Sequence, residues 1–261
     1  MRVFDFNSAI VRLPGKSVVD GLRTGGPAPA PEKIGLEHAA YVEALRALGL
    51  AVTVLEPLES HPDSIFVEDP ALVFSEAALL LRPGAPSRRG EAAMLAPRLA
   101  AMFPQLLRLE EGNADGGDIL VTPDAVYIGL SARTDASGAS ALQILLESLG
   151  RRCRIVSTPS GTLHLKSDCS LVDEETILAT VGLASSGLFD GFRVLVAPHE
   201  ERAAVNAVRV NDVMLVRDDC PRTAELLVAR GLRVITLPVS EMAKIDAGLS
   251  CMSLRWFQEI E

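Results

Sequence analysis

The chain has 261 residues, 48% hydrophobic and 23% charged, a globular composition without the bias that marks disorder, collagen or coiled coil. Lys and Arg number 25 against 34 Asp and Glu, giving a formal charge of −9, so the basic field that a nucleic-acid or anionic-membrane partner calls for is missing. The longest clean apolar run, Ala77 to Leu81, falls far short of the roughly 18 residues of a membrane span, and Arg2 and Asp5 interrupt any signal-peptide core. A cytoplasmic protein with a small-molecule partner is the expectation, and a homodimer is left open.

In chain order, an orphan strand is expected over residues 8–12. It is followed by GLRTGGPAPAP (21–31), too rich in Gly and Pro for core, which reads either as a surface connection or as a lid over a central cavity. An amphipathic helix over Leu36–Leu48 ends at Gly49 and runs into the strand VTVL from Val52. The same succession recurs as Glu91–Met102 before LLRL, Ala139–Leu149 before RIVS, a Gly/Ser-rich lead-in before RVLVA (from Arg193), and Arg222–Arg230 before RVITL. After each strand a polar loop leads to a second strand, and in four copies a hairpin follows: ALVF with AALLL, DILV with AVYIGL, CSLV with TILAT, AVRV with VMLV. Units begin near residues 36, 88, 138, 184 and 221, a period that points to a solenoid or a propeller. The last unit lacks a hairpin partner and the orphan strand lacks a unit, so the amino-terminal strand is expected to complete the fifth. The prediction is an α/β fold, a five-bladed propeller closed by its own terminus, in one domain over residues 1–261.

In a radial repeat, equivalent loops face one axis, so reactive residues at equivalent places converge. The loops before the hairpins carry Glu68 and Asp69, then Asp115 with Asp118, His164, Glu200 with Asn206, and Cys251. Taken singly, Cys251 reads as a buried thiol, His164 as a core histidine between two leucines, Asp115 as part of an Asp-Gly-Gly turn, and the Glu68-Asp69 pair as a solvated turn. Taken together they supply a thiol nucleophile, a proton-transfer imidazole, an orienting carboxylate and further acids suited to a guanidinium. Four cysteines without a C-x-x-C pair are expected to be reduced, and Cys153, Cys169 and Cys220 share no metal-ligand spacing with His38, His61 and His199. Arg88 and Arg89 stand at the start of a predicted helix, where a cation is disfavoured, and a ligand carboxylate would explain them. Arg133, directly after a strand, reads as a second such group or as a surface arginine.

The segments PDSIFVEDPALVF (62–74), RPGAPSRRGE (82–91), DGGDILVTPDAVYIGLSART (115–134), LHLKSDCSLV (163–172) and PVSEMAKIDAGLSCMSL (238–254) resemble the dimethylarginine dimethylaminohydrolase family of guanidino-group-modifying enzymes. The resemblance implies a pentein-like α/β propeller of five ββαβ units around a pseudo-fivefold axis. It implies hydrolysis of Nω-methylated L-arginine to L-citrulline and an amine, without metal or organic cofactor, a reaction of arginine catabolism tied to nitric oxide regulation. It places the nucleophile at Cys251, the general acid/base at His164 and the orienting acid at Asp115. Substrate contacts are implied at Asp63, Glu68 and Asp69, with Arg88 and Arg133 on the α-carboxylate, the Leu22 and Ile245 backbones at the amino-acid end, and Phe66 beside the substrate. The alternatives are an arginine deiminase or other guanidine or ureido hydrolase, and a propeller that only binds.

Overall fold

The computed structural model describes residues 1–259. Its elements in chain order are β1 (Ser8–Arg12), α1 (Pro31–Ala47), β2 (Ala51–Leu55), β3 (Ala71–Val73), β4 (Ala77–Leu80), α2 (Glu91–Met102) and β5 (Gln105–Arg108). There follow β6 (Ile119–Val121), β7 (Val126–Leu130), α3 (Ala136–Ser148), β8 (Cys153–Ser157), β9 (Cys169–Leu171), β10 (Thr176–Ala179), α4 (Val181–Ala184) and β11 (Arg193–Val196). The last are β12 (Val208–Val210), β13 (Val213–Arg217), α5 (Pro221–Val228), β14 (Arg233–Leu237) and β15 (Leu254–Trp256). Among the described residues they form five three-stranded sheets: β15-β1-β2, β3-β4-β5, β6-β7-β8, β9-β10-β11 and β12-β13-β14.

Four sheets share one construction. An antiparallel hairpin joins an inner to a middle strand, and a helix then carries the chain to an outer strand parallel to the middle one. The helix is required because parallel neighbours cannot be linked by a tight turn. The strand after each helix therefore belongs with the hairpin before it, one strand out of phase with the helix-first units read from the sequence. The fifth blade is assembled from both ends of the chain. β1 pairs antiparallel with β15, Ser8 opposite Trp256, and parallel with β2, Ser8 opposite Ala51. This is the α/β propeller closed by the amino-terminal strand.

Middle strands β4, β10 and β13 are buried along their whole length, and so AALL, TILA and VMLVR are near-continuous apolar runs rather than alternating ones. Apolar clusters sit between neighbouring blades. One packs Ile34, Tyr41 and Leu45 of α1 with β1 against Val208, Val213 and Leu215. Another sets Leu79 and Leu81 against Ile119, Ile128 and Leu142. Each such side chain contributes about 1.5–3 kcal/mol, so the ring is held mainly by contacts between blades.

Two helices depart from expectation. α1 begins five residues earlier than its apolar periodicity suggested, because Pro31 is pre-set for a first helical turn and Glu32 favours the helix start. Its polar first turn leaves no hydrophobic signature, and the irregular segment is correspondingly shorter. The Gly/Ser-rich lead-in forms only the single turn α4, whose Thr180 hydroxyl accepts from the Leu183 N–H.

Candidate active site

Each inner strand is entered through a turn, and these turns carry the reactive residues: Glu68 and Asp69 before β3, Asp115 before β6, His164 before β9, Asn206 before β12 and Cys251 before β15. Hydrogen bonds tie each mouth to the next. Glu68 N donates to Cys251 O (3.2 Å) and Gly116 N to Asp69 O (3.0 Å). Leu165 N donates to Asp118 Oδ1 (2.8 Å), Asn206 Nδ2 to Lys166 O (2.9 Å), and Ser250 N to Asn206 Oδ1 (2.9 Å). The chain of bonds returns to its start. Asp118 and Asn206, which the sequence grouped with the reactive residues, are links of this ring. Glu200 does not converge: it is exposed and paired with Arg222 at the outer surface, because its turn lies ahead of the mouth rather than in it.

Asp115 is fully buried, and its Oδ2 lies 3.0 Å from His164 Nε2 while Oδ1 accepts from Gly84 N at 2.7 Å. The bond to Nε2 fixes the imidazole plane and leaves Nδ1 for other work. A methyl group on Gly117 would stand 2.7 Å from Nδ1, so only glycine lets this turn lie against the ring. Burial alone would lower the His164 pKa, but the Asp69, Asp115 and Asp118 carboxylates outweigh it and raise it above the ordinary 6.5. Cys251 is half-buried against the apolar cluster of α1. Burial, then Glu68 and Asp69, push its thiol up to about 12. The free protein thus holds a neutral thiol and a protonation-prone imidazole, each within electrostatic reach of Asp69.

The two adjacent acids diverge. Asp69 accepts from Arg88 Nη1 and from Gly117 N (3.1 Å); burial opposes its ionisation, and Arg88 overcomes this, holding the carboxyl below its usual range. Glu68 instead accepts from Lys166 Nζ (2.5 Å) and Ser250 Oγ (2.9 Å), with Arg255 Nη2 at 3.7 Å. Arg88 is buried, and besides Asp69 it donates to Glu91 and to the Asp63 and Phe66 carbonyls, which leaves a single Nη1 N–H. Its position before α2, which the sequence reading ascribed to a ligand, is explained by these internal partners. Arg89 is exposed.

Arg133 is different: its Nη1 is 3.8 Å from Asp115 Oδ2, and its guanidinium donates no hydrogen bond among the described residues. Asp63 Oδ1 accepts from Leu22 N (2.9 Å), and burial raises this carboxyl. Phe66 and Ile245 are buried in the cluster that Cys251 packs against. Ile245 ends a short helical turn held by Glu37 of α1, whose carboxylate accepts from Ser240 Oγ, Glu241 N and Met242 N. Ligand atoms of Asp69, Asp115 and His164 lie within 4.8 Å of one another, a spacing open to a cation. Their oxygens are nevertheless already taken up by Arg88, Gly117, Gly84 and His164.

The model of the family described as N,N dimethylarginine dimethylhydrolase, eukaryotic, matches residues 30–160. The N(G),N(G)-dimethylarginine dimethylaminohydrolase of Pseudomonas aeruginosa is 39% identical over 96% of this chain and 100% of its own. The chain belongs to the dimethylarginine dimethylaminohydrolase family. The Streptomyces coelicolor dimethylaminohydrolase is 35% identical, over 95% of this chain and 96% of its own. A solved structure of the Pseudomonas aeruginosa dimethylaminohydrolase, a cysteine-to-serine mutant complexed with citrulline, superposes with a TM-score of 0.93 at 38% identity, covering 97% of this chain and 100% of that one.

Several residues that shape this dimethylaminohydrolase site escaped the sequence reading. Lys166 stands two positions after His164 in LHLKS, and Glu91 opens α2 beside Arg88, but neither has a signal beyond charge until distant segments are brought together. Glu37 was hidden inside a predicted helix.

Proposed function

We propose that the chain hydrolyses Nω-methylated L-arginine, carrying one or two methyl groups, to L-citrulline and methylamine or dimethylamine through a covalent thiouronium on Cys251. The observation that supports this reading is that the Asp115–His164 pair and the neutral Cys251 thiol both lie within electrostatic reach of Asp69, in a carboxylate-rich lining suited to a cation. The citrulline complex of the Pseudomonas aeruginosa relative supports it, citrulline being the required product.

In the free protein Glu68 and Asp69 oppose the thiolate. A bound guanidinium offsets those charges, the thiol proton leaves to solvent, and the sulfur attacks the guanidinium carbon. A carbon–sulfur bond forms, His164 gives its proton to the leaving nitrogen, and the carbon–nitrogen bond breaks to release the amine. Neutral His164 then takes a proton from water as its oxygen adds to the thiouronium carbon. The carbon–sulfur bond breaks as the adduct's hydroxyl proton passes to the departing sulfur, so the carbonyl of citrulline forms, citrulline leaves and the cysteine thiol is restored. Asp115 keeps Nε2 occupied so that Nδ1 serves both transfers. No step calls on a metal or cofactor.

Arg133, with its donors free, takes the larger share of the α-carboxylate, and Arg88 adds its remaining N–H. Asp63, with the Leu22 and Ile245 backbones, receives the amino end, and Phe66 packs beside the substrate. Residues 21–31 form a lid: Leu22 N reaches Asp63, and Thr24 Oγ1 donates to Asp246 Oδ1 at 2.9 Å, beside Ile245. Substrate should protect this segment from protease. Among the described residues no helix is long and apolar enough to cross a membrane. The four unpaired thiols support a reducing compartment, the cytoplasm.

The test is citrulline release from asymmetric dimethylarginine, monomethylarginine, arginine and agmatine, by wild type and Cys251→Ser in parallel. Thiol-dependent release from the methylated compounds with little from arginine is expected. Preference for arginine makes the protein a compact deiminase, and no release from any compound by folded, reduced protein points to another ureido substrate or to binding alone.

A further inference from the structure

The propeller axis holds a cavity that shares Glu68 and Lys166 with the site described above but is lined by none of Asp69, Asp115, His164 and Cys251. It encloses about 290 Å³ and is walled by the inner strands β3, β6, β9, β12 and β15, with residues 1–6 lying across it. Its charge runs against that of the whole chain. Arg2, Arg151, Lys166, Arg209 and Arg255 line it, against the acids Asp5 and Glu68, in a protein of formal charge −9. Asp5 is taken by Arg2 (2.7 Å) and Glu68 by Lys166 (2.5 Å). Among the described residues, Arg209 and Arg255 are left with no carboxylate in hydrogen-bond range, Asp212 standing 4.0 Å from Arg209 and Glu68 3.7 Å from Arg255.

The buried side-chain polar atoms without a partner among the described residues are His38 Nε2, Arg151 Nε, Ser170 Oγ, Arg209 Nη1 and Arg255 Nε. All except His38 belong to residues lining this one cavity. The Arg209 side chain is 9% exposed and Ser170 is 6% exposed, so bulk water does not readily serve them. Leaving a buried donor unpaired costs about 1–3 kcal/mol, and to gather several around one space is unfavourable unless something occupies it. Aromatic faces hold the guanidinium groups in place: Arg2 and Arg209 lie 4.9 and 5.2 Å from the Phe4 ring centre, Arg255 5.9 Å from Phe6, and Arg151 3.7 Å from Phe74. Between the cations the walls are apolar, with Leu72, Leu120, Leu171 and Trp256.

We propose that this cavity binds a small organic anion, a carboxylate or phosphate carried on an apolar body, gripped by Arg209 and Arg255 with the Ser170 hydroxyl as a further donor. Arginine suits the task because its donors form a planar fork matched to oxyanions, and the apolar walls select a ligand with a body over a bare ion. Arg209 and Ser170 sit on the neighbouring strands β12 and β9, on adjacent walls of the cavity.

Calorimetric titration at low ionic strength with phenyl phosphate, benzoate and neutral benzamide tests this. Expected are saturable binding of both anions and none of benzamide, at least tenfold weakening by Arg209→Met, several-fold weakening by Ser170→Ala, and no change in Arg133→Met. Ser170→Ala guards against a folding artefact, since Ser170 Oγ makes no bond that the change would break. Binding lost in Arg133→Met but kept in Arg209→Met puts the anion at the reacting end and overturns the proposal. So does failure of both anions to bind folded wild-type protein, which leaves the cavity to water.

Discussion

At one end of the axis Asp63, Asp69, Asp115 and Asp118 meet Arg88, Arg133 and His164, and the carboxylates are held by donors from several segments. At the other end Arg151, Arg209 and Arg255 each keep a buried N–H without a partner among the described residues. Both ends draw on the inner strands and the turns that enter them, with Arg151 reaching in from the turn ahead of β8. The difference lies in where along the inner strands the charges fall: acids at the turns that enter the strands, cations facing the cavity beyond. Fivefold geometry therefore concentrates charge without choosing its sign, and individual side chains decide which end can do chemistry.

The largest effect should come from the thiol. Cys251→Ser should lower kcat by about 10⁴-fold or more while leaving the melting temperature nearly unchanged, because a hydroxyl beside two acids makes a poor nucleophile. Substantial turnover in that variant would remove the cysteine from the mechanism. Asp69→Asn should cost roughly 3 kcal/mol in urea denaturation, the low end for breaking a buried pair since Glu91 still faces Arg88. A loss below 1 kcal/mol would show that the acid end is not balanced as described.

The same carboxylate sets the pH behaviour. With the His164 pKa raised above its ordinary value, kcat/KM should fall on the alkaline side with a midpoint above 6.5. Asp69→Asn should move that midpoint down. For stability, a histidine whose folded pKa exceeds its unfolded value contributes fully below pH 6.5 and loses that contribution as pH rises through the folded pKa. Denaturation midpoints of His164→Gln should therefore differ most from wild type below pH 6.5. Smaller again, Glu37→Gln should cost about 1–2 kcal/mol and raise KM with little change in kcat, because it loosens the Ser240–Met242 backbone next to Ile245. The smallest belongs to the cavity end: Arg151→Gln removes a half-exposed ion pair with Glu76 and should cost less than 1 kcal/mol, with activity intact.

Blade number, ring closure and most strands were legible because each depends on local patterns: α2 starts and stops at Glu91 and Met102 as its periodicity indicates, despite Pro97 within it. Comparing equivalent loops picked out Asp115 and His164, which the structure brings to 3.0 Å, and the proposed nucleophile Cys251, since position in a repeat survives folding. What stayed hidden depends on contacts between distant segments. Lys166 meets Glu68 across 98 residues, and Arg88 meets Asp69 across 19, so a motif can mark such residues as charged without saying what they neutralise. Glu200 shows the converse error, a residue near the correct mouth whose side chain turns outward.

The pairing of Ser8 with Trp256 has a bearing on synthesis. β1 is made first but cannot find its inner neighbour until β15 has been made and exposed, almost the full length of the chain later. The thiol of Cys251 arrives with that same segment. A growing chain therefore carries the imidazole and the acids long before it carries the proposed nucleophile, and on that assignment the event that completes the ring is also the one that arms it.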